Sequence, residues 1–242
     1  MKSDKQNDIE QKHIDDLSHV YFSVQIEFDK KLIYFGYFRI KPFFQGPKGL
    51  ELGSGDGDMT KYIINDFDSL TIVDGSAELL SGIPESPKLS KIHSLFENYE
   101  TDKKYNKIIM GHILEHVNNP VKLINRAKNW LAPGGKIIAI VPNAYSFHRL
   151  AAVKMGLLKN PTELNSRDIS VGHRRVYTPE SFENEFILAG LKVNKLGGIF
   201  FKPLANSQIQ EYFSEEMMNG FYELGEDFQY NCAEIYIVCS NK

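Results

Sequence analysis

The stretch "GLELGSGDGDMT", residues 49–60, decides the fold of this chain. A short apolar run ends there in three alternating glycines, Gly53, Gly55 and Gly57. A glycine-rich turn after the first strand of an α/β unit lets the backbone approach a ligand closely. The helix that follows directs its N-terminus toward the same ligand. The stretch therefore predicts a ligand site at the carboxyl end of a β-strand.

The residues of this loop exclude two common phosphate sites. A P-loop needs Gly-Lys-Ser/Thr, which is missing here. The dinucleotide pattern G-x-G-x-x-G would need glycine at the position that Asp58 occupies. A pyrophosphate beside Asp56 and Asp58 would also meet like charge. We therefore expect a ligand without phosphates, and one that carries positive charge.

A second acidic residue specifies that ligand further. Asp74 ends the next β-rich segment, "SLTIVDG", about twenty residues after the glycine loop. An acid at this position is the expected acceptor for the two hydroxyl groups of a ribose. The loop and Asp74 together predict a nucleoside site.

The segments that follow alternate between strand and helix patterns. Continuous apolar strands that alternate with helices are typical of a parallel sheet with helices on both faces. The alternation pauses at residues 144–177, which are about twice as long as an ordinary connection. Long insertions in compact domains are usually functional, so we expect a lid there. A helix then begins with Thr178 as its N-cap and Pro179 in its first turn.

The overall composition is that of an ordinary globular protein. The chain has 242 residues, 42% of them hydrophobic, and a net charge of −3, so we expect no nucleic-acid or membrane partner. No apolar segment of secretory type opens the sequence, which makes the cytoplasm the expected location. The two cysteines, Cys232 and Cys239, fit neither a disulfide framework nor a metal site, and no metal is expected.

Taken together, the motifs resemble those of the class I S-adenosylmethionine-dependent methyltransferases, in particular the ubiquinone-type subgroup. "LELGSGDGDMT" resembles the first motif of that family and "LTIVDGSAELL" the second. "YNKIIMGHILEHVNNP", "LAPGGKIIAIVPN" and "HRRVYTPESF" resemble later motifs. The resemblance implies a Rossmann-like, seven-stranded, mostly parallel sheet whose last strand is antiparallel. It also implies a helical cap over residues 1–44 and a methyltransferase domain over residues 45–242, with the insertion 144–177 as the acceptor site.

The resemblance further implies which residues contact the cofactor. Glu51 would face the methionine amino group, directly or through water, and Asp74 would bind the ribose. Position 95 departs from many relatives, which have aspartate where this chain has leucine. The complete set of implied cofactor-binding residues is Glu51, Gly53, Ser54, Gly55, Gly57, Asp74, Gly75, Ser76, Leu95, Phe96, Gly111, His112, Tyr21 and Tyr34.

The insertion carries the residues that we assign to the acceptor. Histidine can take a hydroxyl proton, and arginine binds carboxylates in a bidentate manner. We therefore predict His148, His173 and Arg174 as catalytic residues and O-methylation of a small molecule or peptide as the function. Two alternatives stay open, namely an N-methyltransferase acting on an amino sugar or related metabolite, and a non-catalytic nucleoside-binding scaffold. The oligomeric state, monomer or dimer, is not fixed by the sequence.

Overall fold

One seven-stranded sheet forms the centre of the protein. The computed structural model describes residues 7–17 and 25–242. The strand order is β3-β2-β1-β4-β5-β7-β6; β1 to β5 pair in parallel, and β7 is antiparallel to both of its neighbours. This arrangement confirms the predicted fold class. The strands are β1 Lys48–Leu52, β2 Ser69–Asp74, β3 Leu89–His93, β4 Tyr105–Gly111, β5 Leu131–Pro142, β6 Leu191–Ile199 and β7 Glu234–Asn241.

Helices cover both faces of the sheet. The helix predicted after the insertion begins as expected, because the side chain of Thr178 accepts a hydrogen bond from the backbone N–H of Ser181. The helices are α1 (residues 7–17), α2 Glu27–Ile40, α3 Thr60–Ile63, α4 Ala77–Gly82, α5 Pro120–Asn129, α6 Phe147–Lys154, α7 Ser166–Ser170, α8 Pro179–Leu188, α9 Asn206–Tyr212 and α10 Glu215–Glu223. Among the described residues, none of these helices has the length and apolar content needed to cross a membrane.

The central strands are apolar throughout because both of their faces are buried. In β4, Ile108 and Met110 pack into the core beneath α5 and α8, whereas Ile109 packs into the core on the other face. All three side chains have no exposed surface. A strand between two helical layers shows no polar alternation, which is the pattern seen in the sequence.

Helix α2 is an integral part of the second core. The rings of Phe28 and Phe35 lie 5.2 and 5.6 Å from the ring of Phe200, which follows β6. The predicted domain boundary at residue 44 therefore follows a helix that packs on the main sheet. This boundary stays a prediction.

The sheet topology fixes where a ligand can bind. Strand β1 pairs with β2 on one side and with β4 on the other, so the chain order reverses at β1. Ligands of open α/β sheets bind at such a reversal, outside the carboxyl ends of the strands. The glycine loop, Asp74 and Gly111 follow or end these three strands.

Candidate active site

The glycine loop adopts a backbone that side chains would disrupt. Gly53 has φ +76°, and its N–H donates to the carbonyl of Val73 at 2.8 Å. A Cβ atom on Gly53 would lie 1.8 Å from Cδ1 of Ile113. Gly57 has φ +88°, again in the left-handed region that favours glycine. The loop thus has no side chain at Gly53 and Gly57, where its backbone conformation favours glycine.

Asp74 connects this loop to the second strand. Its Oδ2 accepts a hydrogen bond from the N–H of Gly55 at 3.0 Å, and its Oδ1 accepts one from the N–H of Ser76 at 2.8 Å. Each carboxylate oxygen has a further lone pair available. Asp74 can therefore accept hydrogen bonds from a diol while it holds the loop in place.

Glu51 lies behind the loop. It is 1% exposed and accepts a hydrogen bond from the hydroxyl of Thr60 at 2.6 Å. Burial raises the pKa of Glu51 to about 8. Glu51 is outside the cavity lining, so this geometry fits an indirect contact with a bound amino group and not a direct one.

A cavity of about 400 Å³ opens in front of the loop. This volume is in the usual range for a small-molecule site. Nine of the residues that the sequence assigned to the cofactor line it: Gly53, Ser54, Gly55, Asp74, Gly75, Leu95, Phe96, Gly111 and His112.

The other assigned residues lie elsewhere. Gly57 and Ser76 support the loop and α4 from outside the lining. The ring of Tyr34 packs on Phe38 at 4.6 Å and Tyr62 at 5.7 Å, outside the cavity lining, and its role over the cofactor stays a prediction. Tyr21 lies outside the described residues.

Helix α1 lies within the predicted helical cap and contributes cavity-lining residues that the sequence analysis did not assign. The amide of Gln11 donates to the carbonyl of Gly75 at 2.8 Å, which places α1 across the end of β2. Four of its residues have the i, i+3, i+4, i+7 spacing of one helical face, and that spacing was a usable signal. These cavity-lining residues are Glu10, His13, Ile14 and Leu17.

The insertion forms the opposite part of the cavity through a buried ion pair. Arg149 of α6 is 5% exposed, and one of its terminal nitrogens lies 2.9 Å from Oδ2 of Asp168 in α7. The same guanidinium donates to the carbonyls of Pro161 and Glu163. Arg149 therefore joins both insertion helices and the loop between them.

Two of the three predicted catalytic residues line the cavity. Burial, together with the neighbouring charges of Lys202 and Arg149, lowers the pKa of His148 to about 2, so its imidazole is neutral at physiological pH. His173 also lines the cavity, and its Nδ1 lies 3.3 Å from Oδ1 of Asp168.

Arg174 occupies a different position from the one predicted. Its guanidinium pairs with the carboxylate of Glu10 in α1 at 2.9 and 3.0 Å, and it is outside the cavity lining. Arg175 donates to the carbonyls of Leu114 and Val117 at 2.8 and 2.6 Å. These arginines hold segments of the protein together, and the predicted arginine clamp on the acceptor has no support from the geometry.

His112 stands at the junction of the two parts of the cavity. It is a non-glycine residue with φ +54°, and its ring nitrogens lie 3.6 Å from Glu115 and 3.6 Å from Glu234. Burial lowers the pKa of His112, but the two carboxylates more than offset this and raise it to about 9. The imidazole is therefore a cation at neutral pH.

Lys202 is a cavity residue that the sequence analysis did not identify. It follows the end of β6 and is 8% exposed, and within the described ranges no carboxylate oxygen lies within 4.0 Å of its Nζ. Burial lowers its pKa to about 8. Lys202 follows a strand whose carboxyl end lies at the edge of the sheet where ligands bind, and this position could have indicated a site residue.

A comparison with family models identifies the family of the chain. A family model described as a methyltransferase domain matches residues 28–196. The chain belongs to this methyltransferase family. The chain is thus a class I, S-adenosylmethionine-dependent methyltransferase, which confirms the family that the sequence motifs resemble. A search of curated proteins by sequence found no match.

Solved structures of similar fold include several methyltransferases. An S-adenosylmethionine-dependent methyltransferase from Mesorhizobium loti is 11% identical, with a TM-score of 0.60 over 85% of this chain and 97% of the other. The plantazolicin methyltransferase BpumL, solved with SAH, is 17% identical, with a TM-score of 0.59 over 94% and 90%. The N-methyltransferase NodS from Bradyrhizobium japonicum, also solved with SAH, is 11% identical, with a TM-score of 0.56 over 90% and 89%. At these identities the likeness concerns the fold.

Proposed function

We propose that this methyltransferase transfers the methyl group of S-adenosylmethionine to an oxygen of its acceptor, and that this oxygen belongs to a carboxylate. The observation that carries the proposal is the buried, cavity-lining ammonium of Lys202, which has no carboxylate within 4.0 Å in the described part of the chain. A buried cation without a partner is costly, and an anionic acceptor would supply the partner.

The cofactor end of the cavity fits the nucleoside. The backbone of Gly53 and Gly55, which carry no side chains, lines the cavity, and the carboxylate of Asp74 would hold the ribose hydroxyls. The sulfonium supplies an already activated methyl group, so the protein chiefly aligns the acceptor with it. Good alignment can contribute about 7–11 kcal/mol to lowering the barrier.

The protonation states of the cavity favour an acceptor that is already ionised. Transfer to a carboxylate breaks the sulfur–methyl bond and forms an oxygen–methyl bond without proton removal. The pKa of His148 is too low for it to hold a hydroxyl proton, and that of His112 is high enough to keep its ring protonated. General bases work best when their pKa lies near the operating pH. A carboxylate therefore suits this site better than a hydroxyl.

A small molecule or a peptide fits the acceptor space better than nucleic acid. The cavity volume is about 400 Å³, and α1 and the insertion both line it. BpumL, which shares the fold, was solved with azolic desmethylPZN analogs and SAH. A net charge of −3 offers no general attraction for a phosphate backbone. The cytoplasmic location stays a prediction from the sequence.

One observation favours N-methylation as a second candidate. The carboxylates of Glu115 and Glu234 line the same cavity and have buried oxygens without hydrogen-bond partners in the described residues. Carboxylates of this kind would suit an amine acceptor, and NodS is an N-methyltransferase of similar fold.

Mass spectrometry separates the two candidates. The chain is incubated with deuteromethyl S-adenosylmethionine and a panel of carboxylate peptides, phenols and amino sugars. We expect label on a carboxylate as an ester that mild base removes.

Lys202→Met should lower kcat/KM at least tenfold while the Kd for SAH stays unchanged, and the exposed Lys159→Met serves as control. Label on nitrogen would overturn the oxygen assignment and leave the family assignment intact.

A further inference from the structure

Three side chains at the acceptor end of the cavity form a cluster of metal-ligating type. Ligand atoms of Glu115, His116 and His173 all lie within 4.8 Å of one another. All three residues line the cavity. Two of them follow β4 and the third follows α7, so the cluster joins segments that are distant in sequence.

The carboxylate of Glu115 lies near the cationic ring of His112 but lacks the hydrogen-bond partners that a buried anion needs. It has no exposed surface, and neither of its oxygens has a hydrogen-bond partner among the described residues. Nδ1 of His112 lies 3.6 Å from Oε1, which is beyond hydrogen-bond distance. A buried polar group in this condition calls for an ion or water that satisfies it.

His116 is oriented as a metal-binding histidine usually is, and His173 lies close to a carboxylate. Nδ1 of His116 lies 3.3 Å from the carbonyl oxygen of Gly172, and Nδ1 of His173 lies 3.3 Å from Oδ1 of Asp168. Metal-binding histidines typically donate the N–H of their other ring nitrogen to a carbonyl or a carboxylate. The contact of His116 leaves its Nε2 for a metal. Nδ1 of His173 has no hydrogen-bond partner among the described residues, so either nitrogen of that ring is available to a metal.

We propose that Glu115, His116 and His173 bind one divalent first-row transition metal ion at the acceptor end of the cavity. Two imidazoles and one carboxylate are a donor set used by zinc and by other metals of this series, and three protein ligands leave a coordination position open. The open position faces the cavity and takes an oxygen of the acceptor. This last role rests on the proposed function, whereas metal binding itself does not.

The geometry requires only a small adjustment. Bonds of about 2.0–2.1 Å in tetrahedral geometry place ligand atoms about 3.3 Å apart. The present separations of up to 4.8 Å close to this value when the side chains move by about 1 Å each toward a common centre.

Cobalt provides a direct test. The untagged 242-residue chain is stripped with a chelator and titrated with Co²⁺ in the absence of cofactor and acceptor, with the visible d–d absorption as readout. We expect one equivalent to bind and Zn²⁺ to displace it. Glu115→Gln and His173→Gln should each weaken Co²⁺ binding at least tenfold. His148→Gln, which removes another cavity-lining histidine, should leave it unchanged.

The Co²⁺ affinity of a variant is interpreted only if that variant is folded, as shown by far-UV circular dichroism and by an unchanged Kd for SAH. Because the two ligand variants lie in separate segments, either one alone decides the question if the other fails to fold. No stoichiometric Co²⁺ binding by the wild-type chain would overturn the proposal. Binding that survives both substitutions would overturn it as well. These readouts need no acceptor, so they stand even if the label in the methylation experiment appears on nitrogen.

Discussion

The two ends of the cavity are built by different means. At the cofactor end, the backbone of a short loop and one carboxylate, Asp74, form the surface, and their hydrogen bonds connect neighbouring strands. At the acceptor end, side chains from distant segments are held by ion pairs such as that of Arg149 with Asp168. Backbone hydrogen bonds hold the first end in place, whereas the second depends on charges that are buried or paired.

The largest expected effect concerns a pH dependence at the cofactor end. The pKa of Glu51 is about 8 in the folded protein, against an ordinary value of 4.5. Because the folded state binds this proton more tightly, Glu51 stabilises the fold fully below pH 4.5. That stabilisation is lost as the pH rises to 8. The loss is at most about 5 kcal/mol. Urea unfolding of the ligand-free chain between pH 5 and 8.5 measures it. Glu51→Gln should flatten the profile, and the exposed Glu211→Gln should not.

The acceptor end should respond most strongly to the loss of its buried ion pair. Arg149→Met leaves the carboxylate of Asp168 buried without its cation, which should lower the free energy of unfolding by about 3 kcal/mol. Arg167→Met is the matched control, because the side chain of Arg167 is 44% exposed in its ion pair with Asp29. Equal losses in the two variants, measured by urea unfolding, would contradict the difference that we draw between buried and exposed pairs.

Asp74 tests the cofactor end without a change in size. Asp74→Asn removes the charged acceptor of the predicted ribose contacts and should weaken SAH binding by about 2 kcal/mol, or roughly 30-fold. Isothermal titration calorimetry measures the change, with the exposed Asp102→Asn as control. An unchanged Kd for SAH would contradict the prediction that Asp74 binds the ribose.

Of these substitutions, we expect the replacement of Arg174 to have the smallest effect. Its ion pair with Glu10 is partly exposed, with the arginine side chain 29% accessible, and such pairs contribute at most about 1 kcal/mol. We expect Arg174→Ala to change kcat/KM less than about threefold, whereas His173→Ala should lower it clearly. A large loss in Arg174→Ala would restore the catalytic role that the sequence suggested.

The sequence could predict where residues lie when they are consecutive in the chain. The glycine loop, Asp74 and Gly111 end or follow strands whose apolar pattern is plain, and the residues of each motif are neighbours in the chain. The N-cap at Thr178 was predictable for the same reason, since capping involves residues three positions apart. Tyr34 lies outside the cavity lining, and an aromatic run alone does not show which ring faces a cavity.

The sequence by itself determined the sheet, the order of its motifs and the family, because local backbone requirements and apolar periodicity act over a few residues. Only the tertiary structure decided that Lys202 lines the cavity, that Arg174 pairs with α1, and that Glu115 meets His173. Such contacts join residues that are far apart in the chain. They depend on how the insertion and α1 pack against the sheet, and no local pattern in the sequence encodes that packing.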